Sequence, residues 1–102
     1  MMRAVTWRSD PEGAEPAALA RVAPMDGLRV LELGCGDGRL TFRYAAPTAR
    51  VLAVDPSADA IAAAVAGTPA GLADRVTFAV AGAAEVDAPA AEFDLALFSW
   101  SL

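Results

Sequence analysis

Val30-Leu31-Glu32-Leu33-Gly34-Cys35-Gly36-Asp37-Gly38-Arg39-Leu40-Thr41 decides the reading of this chain. An apolar run carrying one carboxylate gives way to glycine at every second position, and a helix-compatible stretch follows. That order predicts a strand, a tight turn and a helix start, with the main chain bare where a ligand would approach. Glu32 and Asp37 make the turn acidic, and no lysine accompanies them. Such a turn suits a nucleoside ligand bearing positive charge better than it suits a pyrophosphate.

Outward from the turn, apolar runs alternate with helical stretches. Residues 28–33 predict a first buried strand, and 39–46 a helix closed by Pro47. Residues 50–54 predict a second strand, ending at Asp55. Pro56 and Ser57 open a helix over 58–66, which Gly67 and Pro69 stop. A helical turn near 71–74 precedes a third strand over 76–80. Residues 81–92 read as a loop with at most one helical turn, and 93–98 as a fourth strand. Before all of these, residues 1–13 read as a mobile lead-in with turn chemistry at Asp10-Pro11-Glu12-Gly13, and 14–23 as a short helix. The chain therefore divides into a lead-in over 1–27 and one α/β unit over 28–102. Near-continuous apolar strands alternating with helices predict a parallel sheet covered on both faces.

Composition narrows the partners. The 102 residues are 56% hydrophobic, with a mean hydropathy of +0.40, which fits one small domain with a packed core. The formal charge of −5 and the absence of a basic stripe argue against nucleic acid as a partner. Cys35 is the single cysteine, so no internal disulfide forms, and with no histidine a transition-metal site is not expected. The first ten residues lack the apolar core of a signal peptide, and no run approaches the roughly 20 residues that span a bilayer. A cytoplasmic protein without a membrane partner is the expectation.

A dinucleotide site is the rival interpretation of the turn. Its fingerprint is G-x-G-x-x-G, whose third glycine would fall at Arg39. The chain instead closes G-x-G-x-G at Gly38, and Asp37 would repel a phosphate. An NAD(P)-binding half-domain of an oxidoreductase remains the alternative, as does a non-catalytic interaction fragment.

Over residues 28–102 the chain resembles the class I S-adenosylmethionine-dependent methyltransferases. The resemblance rests on E/D-x-G-x-G-x-G at Glu32 to Gly38, the acidic end of the second strand at Asp55, and Phe93-Asp94-Leu95 opening the fourth. It implies a Rossmann-like three-layer α/β/α fold with a mostly parallel sheet in the order 3-2-1-4, truncated after the fourth strand. It implies S-adenosyl-L-methionine as cofactor and methyl transfer to a small-molecule acceptor. Glu32 would orient the donor's ammonium, directly or through water. Gly34, Cys35, Gly36 and Gly38 would lie along the donor by main chain. Asp55 would hold the ribose, 21 residues after Gly34 and near the ~20-residue interval of nucleotide-binding βαβ units. Pro56 would sit beneath the adenine, and Ser99 beside the reactive methyl group.

Departures from the family pattern are equally specific. The usual G-D-A after the third strand is Gly82-Ala83-Ala84 here, so Ala83 replaces the aspartate that meets adenine. The main-chain N–H of Ala84 remains to serve the base, with Glu85 or Asp87 as substitutes. Asp37 reads as a cap for the following helix, and the Cys35 side chain as a small buried group rather than a nucleophile. No catalytic base is identified. The family domain continues past its fourth strand, so the chain reads as a cofactor-binding half: a truncated product, a fragment or one part of a split enzyme. In that reading the fourth strand is an open apolar edge, ready to pair with a completing chain or a second copy.

Overall fold

The computed structural model describes residues 3–9, 25–86 and 92–101. The apolar runs become strands β1 (Arg3–Ser9), β2 (Arg29–Leu33), β3 (Arg50–Asp55), β4 (Val76–Val80) and β5 (Leu95–Ser101). Helices α1 (Arg39–Tyr44) and α2 (Ala58–Ala66) connect them, with 3₁₀ turns at Ala70–Leu72 and Ala83–Glu85. Ser57 caps α2 by accepting the Ala60 N–H at 3.1 Å, and Gly67 follows its last turn. Pro47 sets the end of α1, since the residue before a proline is disfavoured in helical geometry.

One five-stranded sheet runs in the order β1-β5-β2-β3-β4, and every neighbouring pair is parallel. From β4 to β5 this is the expected 3-2-1-4 arrangement of a Rossmann-like fold. β1 corrects the sequence reading of a mobile lead-in. Residues 3–9 pair with β5 from Arg3↔Leu95 to Ser9↔Ser101. Val5, Thr6 and Trp7 favour strand geometry, and the edge of β5 offers them a row of donors and acceptors. β5 is therefore an interior strand, and the open edge expected there for self-pairing is already covered. The helix expected over 14–23 and its preceding turn lie outside the described residues.

The sheet buries both faces, as parallel sheets do. Val30, Val51, Ala53, Leu95 and Leu97 face Leu40 and Tyr44 of α1 and Ile61 of α2. Leu31, Leu33, Val54 and Phe93 form a second cluster on the opposite face. At the amino ends of the strands, Asp94 accepts the Arg29 main-chain N–H at 2.9 Å and its Nε–H and Nη2–H at 3.2 Å each. This clamp sets β2 beside β5 before their ladder begins. Among the described residues no helix is long and apolar enough to cross a membrane.

Candidate functional site

The connections leave β2 in opposite directions: toward β3 on one side and, later in the chain, β5 on the other. A crevice at the carboxyl ends of the strands is the consequence of such a switch point. The glycine turn lies there. Gly34 and Gly36 adopt φ of +83° and +58°, a left-handed geometry that other residues enter at a cost. A Cβ on Gly34 would stand 2.6 Å from the Ser99 carbonyl oxygen, so this glycine lets β5 approach. A Cβ on Gly36 would meet nothing within 4 Å, so this glycine presents bare backbone to open space. Gly38 serves packing: a Cβ there would press the Phe42 and Phe78 rings at 3.0 and 3.1 Å. Those rings meet edge to face at 5.7 Å.

Main-chain bonds hold the turn to β3, with Gly34 and Cys35 both donating to the Val54 carbonyl at 2.8 and 3.0 Å. Asp55 completes the hold. Its Oδ2 accepts the Gly36 N–H at 3.0 Å and its Oδ1 accepts the Ser57 N–H at 2.9 Å. One carboxylate thus ties the end of β3 to the centre of the turn and to the start of α2. Each oxygen keeps a further lone pair, and the residue is only half-buried, so a diol could bond the same carboxylate. Pro56 beside it is exposed.

Glu32 is placed differently from the expectation. It is 0% exposed, on the face of β2 that α1 covers. Its Oε1 accepts the Thr41 and Tyr44 hydroxyls at 2.6 and 2.7 Å, and Ser99 Oγ lies 2.7 Å from Oε2. Strand alternation explains the inward turn, since Glu32 shares its face with the fully buried Val30. The structure therefore sets Glu32 in a cluster of hydroxyls from α1 and β5. Burial raises its carboxyl above the usual range against the opposing pull of those hydroxyls. The same burial drives the Tyr44 phenol well up and pushes the Cys35 thiol to about 12, which leaves Cys35 inert as a nucleophile.

Ser99 belongs to this cluster, with its hydroxyl also 2.9 Å from the Gly34 carbonyl oxygen. It supports the turn from beneath. Thr41 and Tyr44 are the residues that sequence reasoning missed. They stand one helical turn apart on the side of α1 that also buries Leu40, a polar pair on an apolar face. That pattern is the signal for a buried acceptor opposite.

At the helix start the N-cap position falls to Gly38, in left-handed geometry without a side-chain cap. Asp37 acts from one place earlier, accepting the Arg39 N–H at 3.3 Å and pairing with its guanidinium at 3.0 Å. After β4, Ala83 and Ala84 form part of a 3₁₀ turn, and Ala84 is exposed. Glu85 bends back, its Oε1 accepting the Gly82 N–H at 3.0 Å. Asp87 lies outside the described residues.

Comparison with known proteins agrees with this geometry. A family model described as "Methyltransferase domain" matches residues 30–102. An S-adenosylmethionine-dependent methyltransferase from Mesorhizobium loti is 32% identical, with a TM-score of 0.71 over 88% of this chain and 41% of its own. The magnesium protoporphyrin IX methyltransferase of Synechocystis PCC 6803, solved with bound SAM, is 26% identical, with a TM-score of 0.66 over 81% of this chain and 39% of its own. An RNA methyltransferase from Salinibacter ruber, in complex with S-adenosyl-L-homocysteine, is 26% identical, with a TM-score of 0.71 over 88% and 59%. No curated protein sequence matches the chain. The chain spans less than two thirds of the length of these solved structures. With the glycine turn, the acidic end of β3 and the 3-2-1-4 sheet all in place, the chain belongs to the methyltransferase-domain family.

Proposed function

We propose that the glycine turn and Asp55 form the S-adenosylmethionine site of a methyltransferase that modifies a small-molecule acceptor. The observation that carries this reading is the bond from the Gly36 N–H to Asp55 Oδ2, beside open space at Gly36. It sets a bare main-chain surface and a half-buried carboxylate side by side at the switch point of the sheet. Asp55 holds the ribose diol through the lone pairs its protein bonds leave free. The main chain from Gly34 through Cys35 to Gly36 supplies the surface along which the donor lies, and Gly38 packs behind it. Pro56 offers an apolar contact, and the exposed Ala84 offers a main-chain N–H, to the adenine that Ala83 no longer meets with a carboxylate.

The donor supplies a methyl group already carried on an excellent leaving group. The work left to the protein is orientation and exclusion of water. The acidic balance, 13 acidic residues against 8 basic, favours an acceptor without a phosphate backbone. It also suits a donor whose net charge is positive.

Isothermal titration with S-adenosylhomocysteine tests the reading, with NAD as the control. Saturable heat with the first and none with the second supports it. Silence at millimolar S-adenosylhomocysteine, or heat with NAD alone, overturns it.

A further inference from the structure

The cluster around Glu32 can be audited proton by proton. Four short oxygen–oxygen contacts join it. Thr41 and Tyr44 lie 2.6 and 2.7 Å from Oε1, Ser99 Oγ lies 2.7 Å from Oε2, and the same Oγ lies 2.9 Å from the Gly34 carbonyl oxygen. A hydroxyl carries one proton and a carbonyl or carboxylate none. With Glu32 ionised, Thr41, Tyr44 and Ser99 each spend their proton on the carboxylate. The part-buried contact between Ser99 and Gly34 is then acceptor against acceptor, two oxygens 2.9 Å apart with no proton between them. One further proton, on Oε2, satisfies every contact.

We propose that Glu32 stands in the folded protein at neutral pH as a neutral carboxylic acid. It donates from Oε2 to Ser99, so that Ser99 donates onward to the Gly34 carbonyl. Glu32 is then a positioning residue for the glycine turn, acting through Ser99. Gly34 has left-handed φ and β5 backbone pressed against it, so the relay fixes the residue on which the whole turn pivots. Among the described residues, the groups that bond the carboxyl are all hydroxyls. Among the described residues, Tyr44 on α1 and Cys35 in the turn are titratable groups that interact with it, and burial keeps both in their uncharged forms. β3 presents Ala53 in register with Glu32, and β5 presents Leu97. Burial of the carboxyl favours the same protonation state. The proton assignment stands apart from the proposed donor site, whereas its consequence for ligand binding rests on that reading.

Infrared difference spectroscopy between the wild-type chain and Glu32→Gln, without ligand at neutral pH, reads the proton directly. The expected result is a carbonyl stretch of a buried neutral carboxylic acid, absent from Glu32→Gln. Ser99→Ala should shift this band, because it removes the acceptor of the acid's proton. A carboxylate band in its place overturns the proposal. Should Glu32→Gln fail to fold, the band in the wild type and its shift in Ser99→Ala decide the matter alone.

Chemical denaturation gives a second readout with a fixed sign. The folded carboxyl binds its proton more tightly than the unfolded one, so its stabilisation is full below the unfolded value of ~4.3 and declines as pH rises towards the folded value. Over that window the wild-type unfolding constant should rise about tenfold per pH unit relative to Glu32→Gln. A ratio that does not change with pH overturns the assignment. Neither measurement uses the donor, so a failed titration with S-adenosylhomocysteine leaves the proton assignment standing, and the converse holds.

Discussion

Asp55 at the end of β3 and Gly36 in the centre of the glycine turn are joined by a 3.0 Å hydrogen bond from main-chain N–H to carboxylate. The bond makes one side chain responsible both for the shape of the turn and for the polar rim of the crevice. Asp55→Ala should therefore weaken S-adenosylhomocysteine binding by more than a lost ribose contact alone. Hydrogen bonds to a charged group contribute roughly 1.5–3 kcal/mol, which corresponds to about 10- to 100-fold in Kd. Asp55→Asn keeps one acceptor oxygen and should lose less. Calorimetric titration of the two variants measures the difference.

Gly34 and Gly36 share left-handed geometry but differ in surroundings, and their alanine variants should part accordingly. Gly34→Ala drives a methyl group to 2.6 Å from the Ser99 carbonyl, so backbone strain and overpacking add. Each costs roughly 1–3 kcal/mol, and the variant should show a markedly lower denaturation midpoint. Gly36→Ala meets open space and should lose only about 1–2 kcal/mol of stability. It should nevertheless bind S-adenosylhomocysteine poorly, since the added methyl group occupies the surface offered to the donor. Denaturation and titration of both variants separate folding from binding.

Acid should loosen the clamp between β2 and β5. Hydrogen bonds from Arg29 hold the Asp94 carboxyl down at about 2. A depressed folded pKa gives stabilisation that is full above the unfolded range near ~3.9 and is lost as pH falls through the folded value. Stability of the wild type should drop between about pH 4 and pH 2, and that part of the acid limb should vanish in Asp94→Asn. Both side chains are partly exposed, so added salt should shrink the effect. Denaturation across pH, at low and high ionic strength, checks the sign.

Removing residues 1–9 should expose the β5 edge. β1 occupies every pairing position from Leu95 to Ser101 on that side. A chain without it presents an apolar strand with free donors and acceptors, and should self-associate at concentrations where the full chain does not. Light scattering of the two chains, side by side, reads the outcome.

Elements bounded by local signals were legible in the sequence. Ser57 and Gly67 bracket α2, and the strand over 76–80 falls where the valine-rich run predicts it. The glycine turn and Asp55 were legible because the family motif lies in one βαβ unit. β1 was not, because its reason for being a strand lies in residues at the far end of the chain. Glu32 shows an intermediate case. Period-two alternation with Val30 already points it inward, but the hydroxyls that make burial tolerable come from α1 and β5. No window around Glu32 contains all three.

β1 and β5 also fix an order of events during synthesis. β1 is made well before its partner β5, with residues 10–94 between them. Until that partner emerges, β1 has no ladder to join, while β2, β3 and β4 can already zip together. Docking of β1 thus waits for β5 and closes the longest loop among the described strand pairs, and its rate should fall most when that loop is lengthened.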